Sequence, residues 1–102
     1  MLLVLTTMPS FLEAESLAKK LVESRLAACV QILPPMTSVY VWEGAVQKET
    51  EHLLLIKSRD EKWDEVREFI SANHSYSVPE IVGVDVEKVS EPYRRWLTET
   101  LG

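Results

Sequence analysis

Few residues in this chain combine reactive chemistry with a suggestive setting. There are two histidines and one cysteine. His74 stands out. It follows a helical stretch and opens the loop His74-Ser75-Tyr76-Ser77-Val78-Pro79-Glu80. A helix C-terminus favours a cation, which here means an imidazolium or a bound metal. A capping role, with the ring bonded to the last helix carbonyls, also accounts for it. One imidazole is not a metal site, because useful affinity takes about two to four ligands. In a symmetric oligomer, neighbours supply the rest. His52 lies between Glu51 and an apolar run and reads as a strand-edge residue. Cys29 sits inside an apolar run and reads as a small core residue. A lone cysteine excludes an internal disulfide framework and any CxxC motif. No spacing pairs a nucleophile with a base, so the chain is not expected to be an enzyme.

The elements that must position these residues follow from periodicity. Leu2 to Thr7 is a short apolar run, read as a buried strand. Ser10 and Glu13 have capping-box spacing, and apolar residues at helical spacing predict a helix from about Phe11 to Ser24. Ala27 to Leu33 predicts a second strand, stopped by Pro34-Pro35. Met36 to Glu43 alternates, placing Met36, Ser38, Tyr40 and Trp42 on one face. Glu43-Gly44 is a turn, and Val46 to Ser58 returns as an extended segment. Its first half is polar and its second half apolar, and it is long for a strand. The pattern predicts a hairpin that overhangs the domain, with exposed aromatics and unpaired edges that another subunit would cover.

Ser58 with Glu61 repeats the capping-box spacing, with Asp60 as a rival cap, and Trp63, Val66, Phe69 and Ile70 mark a helix to about Asn73. Ile81 to Val89 alternates as a further strand. Pro92 suits the first turn of a last helix carrying Tyr93, Trp96, Leu97 and Leu101. Residues 3–33 and 53–86 share a strand–helix–strand pattern. The fold class is α+β: a ferredoxin-like βαββαβ sandwich with an extra C-terminal helix and a long hairpin, in one domain spanning 1–102. Two helices cover one sheet face and leave the other bare, which again points to an oligomer.

Composition narrows the function further. The 102 residues are 46% hydrophobic and 26% charged, as in an ordinary globular domain. Eleven basic and sixteen acidic side chains leave a net charge of −5. No cationic stripe is present, so nucleic acid is not an expected partner. The Met1-Leu2-Leu3-Val4-Leu5 start has no basic leader and is too short for a membrane span, so a cytoplasmic location and no membrane partner are expected.

Several stretches together resemble the CutA divalent-cation tolerance family. They are Leu26-Ala27-Ala28-Cys29-Val30-Gln31-Ile32, Ser38-x-Tyr40-x-Trp42-x-Gly44, Glu51 with Lys57, His74-x-Tyr76-x-x-Pro79-Glu80-Ile81, and Tyr93-x-x-Trp96. The resemblance implies a homotrimer similar in architecture to the PII signalling proteins. Hairpin strands would pair between subunits, with Tyr40, Trp42 and Glu51 at the interface. It also implies a non-enzymatic role in tolerance of copper and other divalent cations, with no required cofactor. The family's suggested copper ligands, a Cys ending the first strand and a His-His pair after the second helix, fall on Thr6, Asn73 and His74 here. Thr6 and Asn73 are poor ligands for copper, which favours imidazole and thiolate. His74 and carboxylates such as Glu80 are left to bind Cu²⁺ or a similar ion weakly. The alternative is a PII-like module that takes a small ligand or a protein partner in the clefts between subunits.

Overall fold

Strand β1 (Leu2–Met8) runs through the middle of the sheet, and every other side chain on it is sealed from water. The computed structural model describes residues 1–102. Helix α1 (Phe11–Glu23) starts where the capping box predicts: the Glu13 N–H donates to Ser10 Oγ at 3.2 Å, and the Ser10 hydroxyl donates to the Glu13 carboxylate at 2.9 Å. Then come β2 (Cys29–Ile32), β3 (Met36–Trp42) and β4 (Ala45–Ser58). Helix α2 (Trp63–Ala72), β5 (Val82–Asp85) and α3 (Glu91–Leu101) complete the chain. This is the expected α+β, ferredoxin-like order with its extra helix.

The sheet order is β2-β4-β1-β5, with β3 paired to the outer half of β4. All pairings are antiparallel. Register sorts the side chains. Leu2, Val4, Thr6 and Met8 lie opposite Ser58, Ile56, Leu54 and His52 and face the helices. Ala14, Leu17, Leu21, Val66 and Ile70 close that core from above. The other face carries Leu3, Leu5, Leu53 and Leu55, all half-buried, with Val82 and Val84 exposed. Helix α3 packs Leu97 and Leu101 on Ala28, and Tyr93 lies 5.4 Å from the Lys57 ammonium, at the end away from the hairpin.

The hairpin overhangs as predicted, and the molecule measures 45 × 25 × 24 Å. Glu43 and Gly44 both have positive φ, 50° and 79°, as a two-residue hairpin turn twisted to match its strands requires. The Leu33 N–H donates to the Leu53 carbonyl and the Ala28 N–H to the Lys57 carbonyl, so odd-numbered residues of β4 point their backbone toward β2 and β3. Alternation directs the N–H and C=O of Val46, Lys48 and Thr50 to the opposite edge, where β1 has already ended at Met8.

Four local expectations change. Ser58 does not cap α2: its hydroxyl donates to the buried Leu26 carbonyl at 2.6 Å, and a single 3₁₀ turn (Asp60–Lys62) leads into the helix instead. A buried carbonyl demands a partner, whereas helix N–H groups at the surface are met by water. The last strand is shorter than 81–89, because its only partner, β1, runs out at Leu2 opposite Asp85. His52 is not a strand-edge residue. It is buried, with Nδ1 2.9 Å from the Leu33 carbonyl and the Phe11 ring against it. Cys29 is only half-buried, because it pairs with Lys57 and belongs to the open face.

Candidate functional site

The positions singled out by sequence fall into two places. The first joins the end of β1 to the segment after α2. His74 Nδ1 accepts the Tyr76 backbone N–H at 3.0 Å, which leaves Nε2 as the protonated nitrogen. Nε2 then donates to the Thr7 carbonyl at 2.7 Å. His74 is therefore a strut between loop and sheet, and both ring nitrogens are in use. The capping role falls to its neighbour: the Asn73 side-chain amide donates to the Phe69 carbonyl at 2.8 Å. Thr6, one residue before the anchored carbonyl, is fully buried, and its hydroxyl oxygen has no hydrogen-bond partner. The fold thus brings Thr6, Asn73 and His74 to one region but turns the three side chains to separate tasks. Nowhere do three or more His, Cys, Asp or Glu side chains converge in the manner of a metal site.

The second place is a cavity of about 750 Å³ on the open face of the sheet, beneath the hairpin. Ser38, Tyr40 and Trp42 wall it from β3, Glu51 forms its base, and the 75–80 loop supplies Tyr76 and Glu80. Alternation on β3 puts Ser38, Tyr40 and Trp42 on one side, as the sequence predicts. Glu51 sits at the root of the hairpin and is only 6% exposed. The Tyr76 hydroxyl donates to its carboxylate at 3.0 Å. Burial, this bond to Glu51 and the negative charge of Glu51 together push the Tyr76 phenol well above its ordinary range, so it stays a donor. The Tyr40 phenol is also raised, by desolvation and then by the charges of Glu49 and Glu51.

Sequence reasoning missed the Glu51–Tyr76 pair. The two residues are 25 positions apart, and no local period links them. The only signal was a glutamate at the switch from polar to apolar within one long strand. Glu80 lines the cavity with Glu51, whereas His74 lines a separate, smaller pocket with Asn73 and Met8. The expected pair of His74 and Glu80 is therefore split between two pockets.

Comparison with known proteins places this geometry in a family. The family model described as CutA1 divalent ion tolerance protein matches residues 2–100. The divalent-cation tolerance protein CutA of Thermus thermophilus is 44% identical over 99 residues, covering 97% of this chain and 96% of that protein. Its solved structure superposes with a TM-score of 0.95 at 44% identity, with 100% of both chains covered. A structure from Archaeoglobus fulgidus, described as a periplasmic divalent cation tolerance protein CutA, superposes with a TM-score of 0.96 at 40% identity, again with 100% of both chains covered. The match covers nearly the whole length in both sequence and fold, and the chain belongs to the CutA1 divalent ion tolerance protein family.

Proposed function

We propose that this protein is a non-enzymatic divalent-cation tolerance protein that works as a homotrimer and binds copper or a similar ion weakly. One observation carries the reading: no single chain brings three ligating side chains together, while the overhanging hairpin leaves an edge and apolar surface for further copies. Val39, Val41 and Val46 are strongly exposed along the hairpin, and the edge of β4 that carries the backbone groups of Val46, Lys48 and Thr50 has no partner strand within the chain. A neighbouring chain that adds a strand to this edge satisfies both. The half-buried apolar face of the sheet supports the same assembly.

A cation bound at His74 displaces a ring nitrogen from Thr7 or from the Tyr76 N–H, and this competition keeps affinity low. The ligand set is completed by carboxylates such as Glu80 from adjoining copies. Light scattering is expected to give three times 11.7 kDa, and a monomer at micromolar concentration overturns the assembly. Calorimetric titration of chelator-stripped protein with Cu²⁺, with a weak competing chelator present, tests the metal. Saturable uptake lost in His74→Ala supports the site, and uptake retained in that variant removes His74 from it. A second reading, a PII-like module that takes a small ligand or a protein partner in the clefts between subunits, is favoured by the cavity beneath the hairpin, which an adjoining copy would turn into such a cleft.

A further inference from the structure

Arg25 stands where glycine is usual. Two backbone bonds close the end of α1: the Leu26 N–H donates to the Leu21 carbonyl at 3.0 Å, and the Arg25 N–H to the Val22 carbonyl at 3.1 Å. That pattern needs a left-handed residue just past the helix, and glycine takes the position at the least steric cost. Here Arg25 holds it, with a φ of 60°. The other non-glycine residue with positive φ, Glu43, is explained by the hairpin turn. Arg25 has its reason 75 positions away, where its Nη1 donates to the Thr100 carbonyl at 2.9 Å. A strained backbone that persists points to a task for its side chain.

Thr100 lies in the last turn of α3, where carbonyls lack helical partners and carry partial negative charge. α3 has no basic residue of its own in that turn. Arg59, which precedes the 3₁₀ turn, supplies a second cation: its Nη1 donates to the Gly102 carbonyl at 3.3 Å. Two guanidinium groups from separate parts of the chain thus hold one helix end. Little else holds α3. None of the buried residues of the main core belongs to it. Leu97 and Leu101 instead form a small separate cluster with Ala28, against Met1. No side chain caps its N-terminus, and residues 86–90, which lead into it, form neither helix nor strand.

We propose that α3 is a strap that opens as a unit on an intact core, and that Arg25 and Arg59 are the latch that keeps it closed. Both latch bonds lie at the surface, so raised salt weakens them. Opening withdraws Leu97 and Leu101 from Ala28, and Tyr93 from the Lys57 ammonium. It bares the end of the sheet away from the hairpin. The device uses the residues of one chain and stands whether or not copper binds at His74.

Amide hydrogen exchange of the full-length protein, read element by element, tests it. In the wild type, α3 is expected to exchange faster than α1 and α2, and faster still at raised salt. Arg25→Asn keeps a residue that tolerates positive φ but is too short to reach Thr100. It is expected to speed exchange in α3 at least about tenfold, the effect of losing one charged hydrogen bond, with α1 and α2 unchanged. Arg59→Gln is expected to do the same to a smaller degree, because its bond is longer. The double variant is expected to lose the salt effect. Wild-type α3 that exchanges as slowly as α1 overturns the proposal, because the helix then opens only with the whole chain. Equal acceleration of α1 and α3 in Arg25→Asn also overturns it, since Arg25 then serves the fold at large. So does α3 exchange that slows as protein concentration rises, because a neighbouring copy then holds the helix.

Discussion

The two halves of β4 share one backbone and live in different surroundings. Residues 52–58 lie between β1 on one side and β2 on the other, and their side chains alternate between sealed and half-buried. Residues 45–51 pair with β3 alone, and all but Gln47 and Glu51 are exposed. The inner half is fixed by what the chain itself buries. The outer half is fixed by the turn and by cross-strand pairing, and its apolar residues contact little within the chain. One strand therefore serves as the core of a domain and as an arm reaching out of it. The boundary falls at Glu51–His52, where the last buried carboxylate meets the first residue opposite β1.

The sharpest way to break the comparison is to truncate one apolar residue in each half. Leu54 is wholly buried and Val46 is 74% exposed. Leu54→Ala is expected to cost about 2–5 kcal/mol, because it leaves a cavity among packed neighbours. Chemical denaturation at fixed protein concentration measures it. Val46→Ser is expected to leave the fold of the chain unchanged and to shift the scattering mass from that of the proposed trimer toward that of a single chain. A large loss of secondary structure in Val46→Ser means that the arm is part of the core after all.

Much of this division is visible in the sequence. The polar start and apolar finish of residues 46–58 announce it, and Glu43-Gly44 marks where the arm folds back. Ser10 and Glu13 place α1 to within a residue. What stays hidden are partners chosen at long range. The Ser58 spacing with Glu61 satisfies a capping rule, but the hydroxyl serves the Leu26 carbonyl, 32 positions away. His52 reads as an edge residue until Phe11 and the β2–β3 bend are seen to cover it. The candidate site suffers most. Motif positions give its residues, but their grouping depends on the 74–80 loop, which docks through His74 on the Thr7 carbonyl and so separates His74 from Glu80.

The glycines repeat the contrast on a smaller scale. A Cβ on Gly83, in β5, meets the Trp63 ring at 2.8 Å, whereas one on Gly44, at the hairpin turn, meets nothing within 4 Å. Gly83→Ala is expected to cost about 1–3 kcal/mol through overpacking. Gly44→Ala is expected to cost about 1 kcal/mol, from the 79° φ alone. Equal costs in thermal denaturation mean that Trp63 swings aside freely.

The junction between the halves is tested by Tyr76→Phe. Removing the donor to buried Glu51 is expected to cost about 1–2 kcal/mol at neutral pH. The sign of the alkaline effect follows from the raised phenol. In the unfolded chain Tyr76 loses its proton near 10.0, while in the folded chain it keeps it at higher pH. The folded state then holds more protons, so the stability that this group contributes is full below pH 10 and falls as pH rises beyond it. Tyr76→Phe is expected to flatten that fall, and an unchanged alkaline profile assigns the drop to other groups.

The smallest effect carries the opposite sign. Thr6 lies directly opposite Leu54 in the inner half, and its buried hydroxyl oxygen finds no partner. Burying an unsatisfied hydroxyl costs free energy that an apolar group of the same shape does not. Thr6→Val keeps the branched shape, and Val suits a strand as well as Thr does. The substitution is expected to stabilise the chain by about 1 kcal/mol, raising the denaturation midpoint without altering its slope. The matched substitution on the arm, Thr50→Val, is expected to stay within about 0.5 kcal/mol, because that hydroxyl is in water already. If Thr6→Val destabilises instead, the hydroxyl has a partner at the end of β1. The region that unites Thr6, Asn73 and His74 then holds a group that the chain alone does not supply, and a bound cation becomes the first candidate for it.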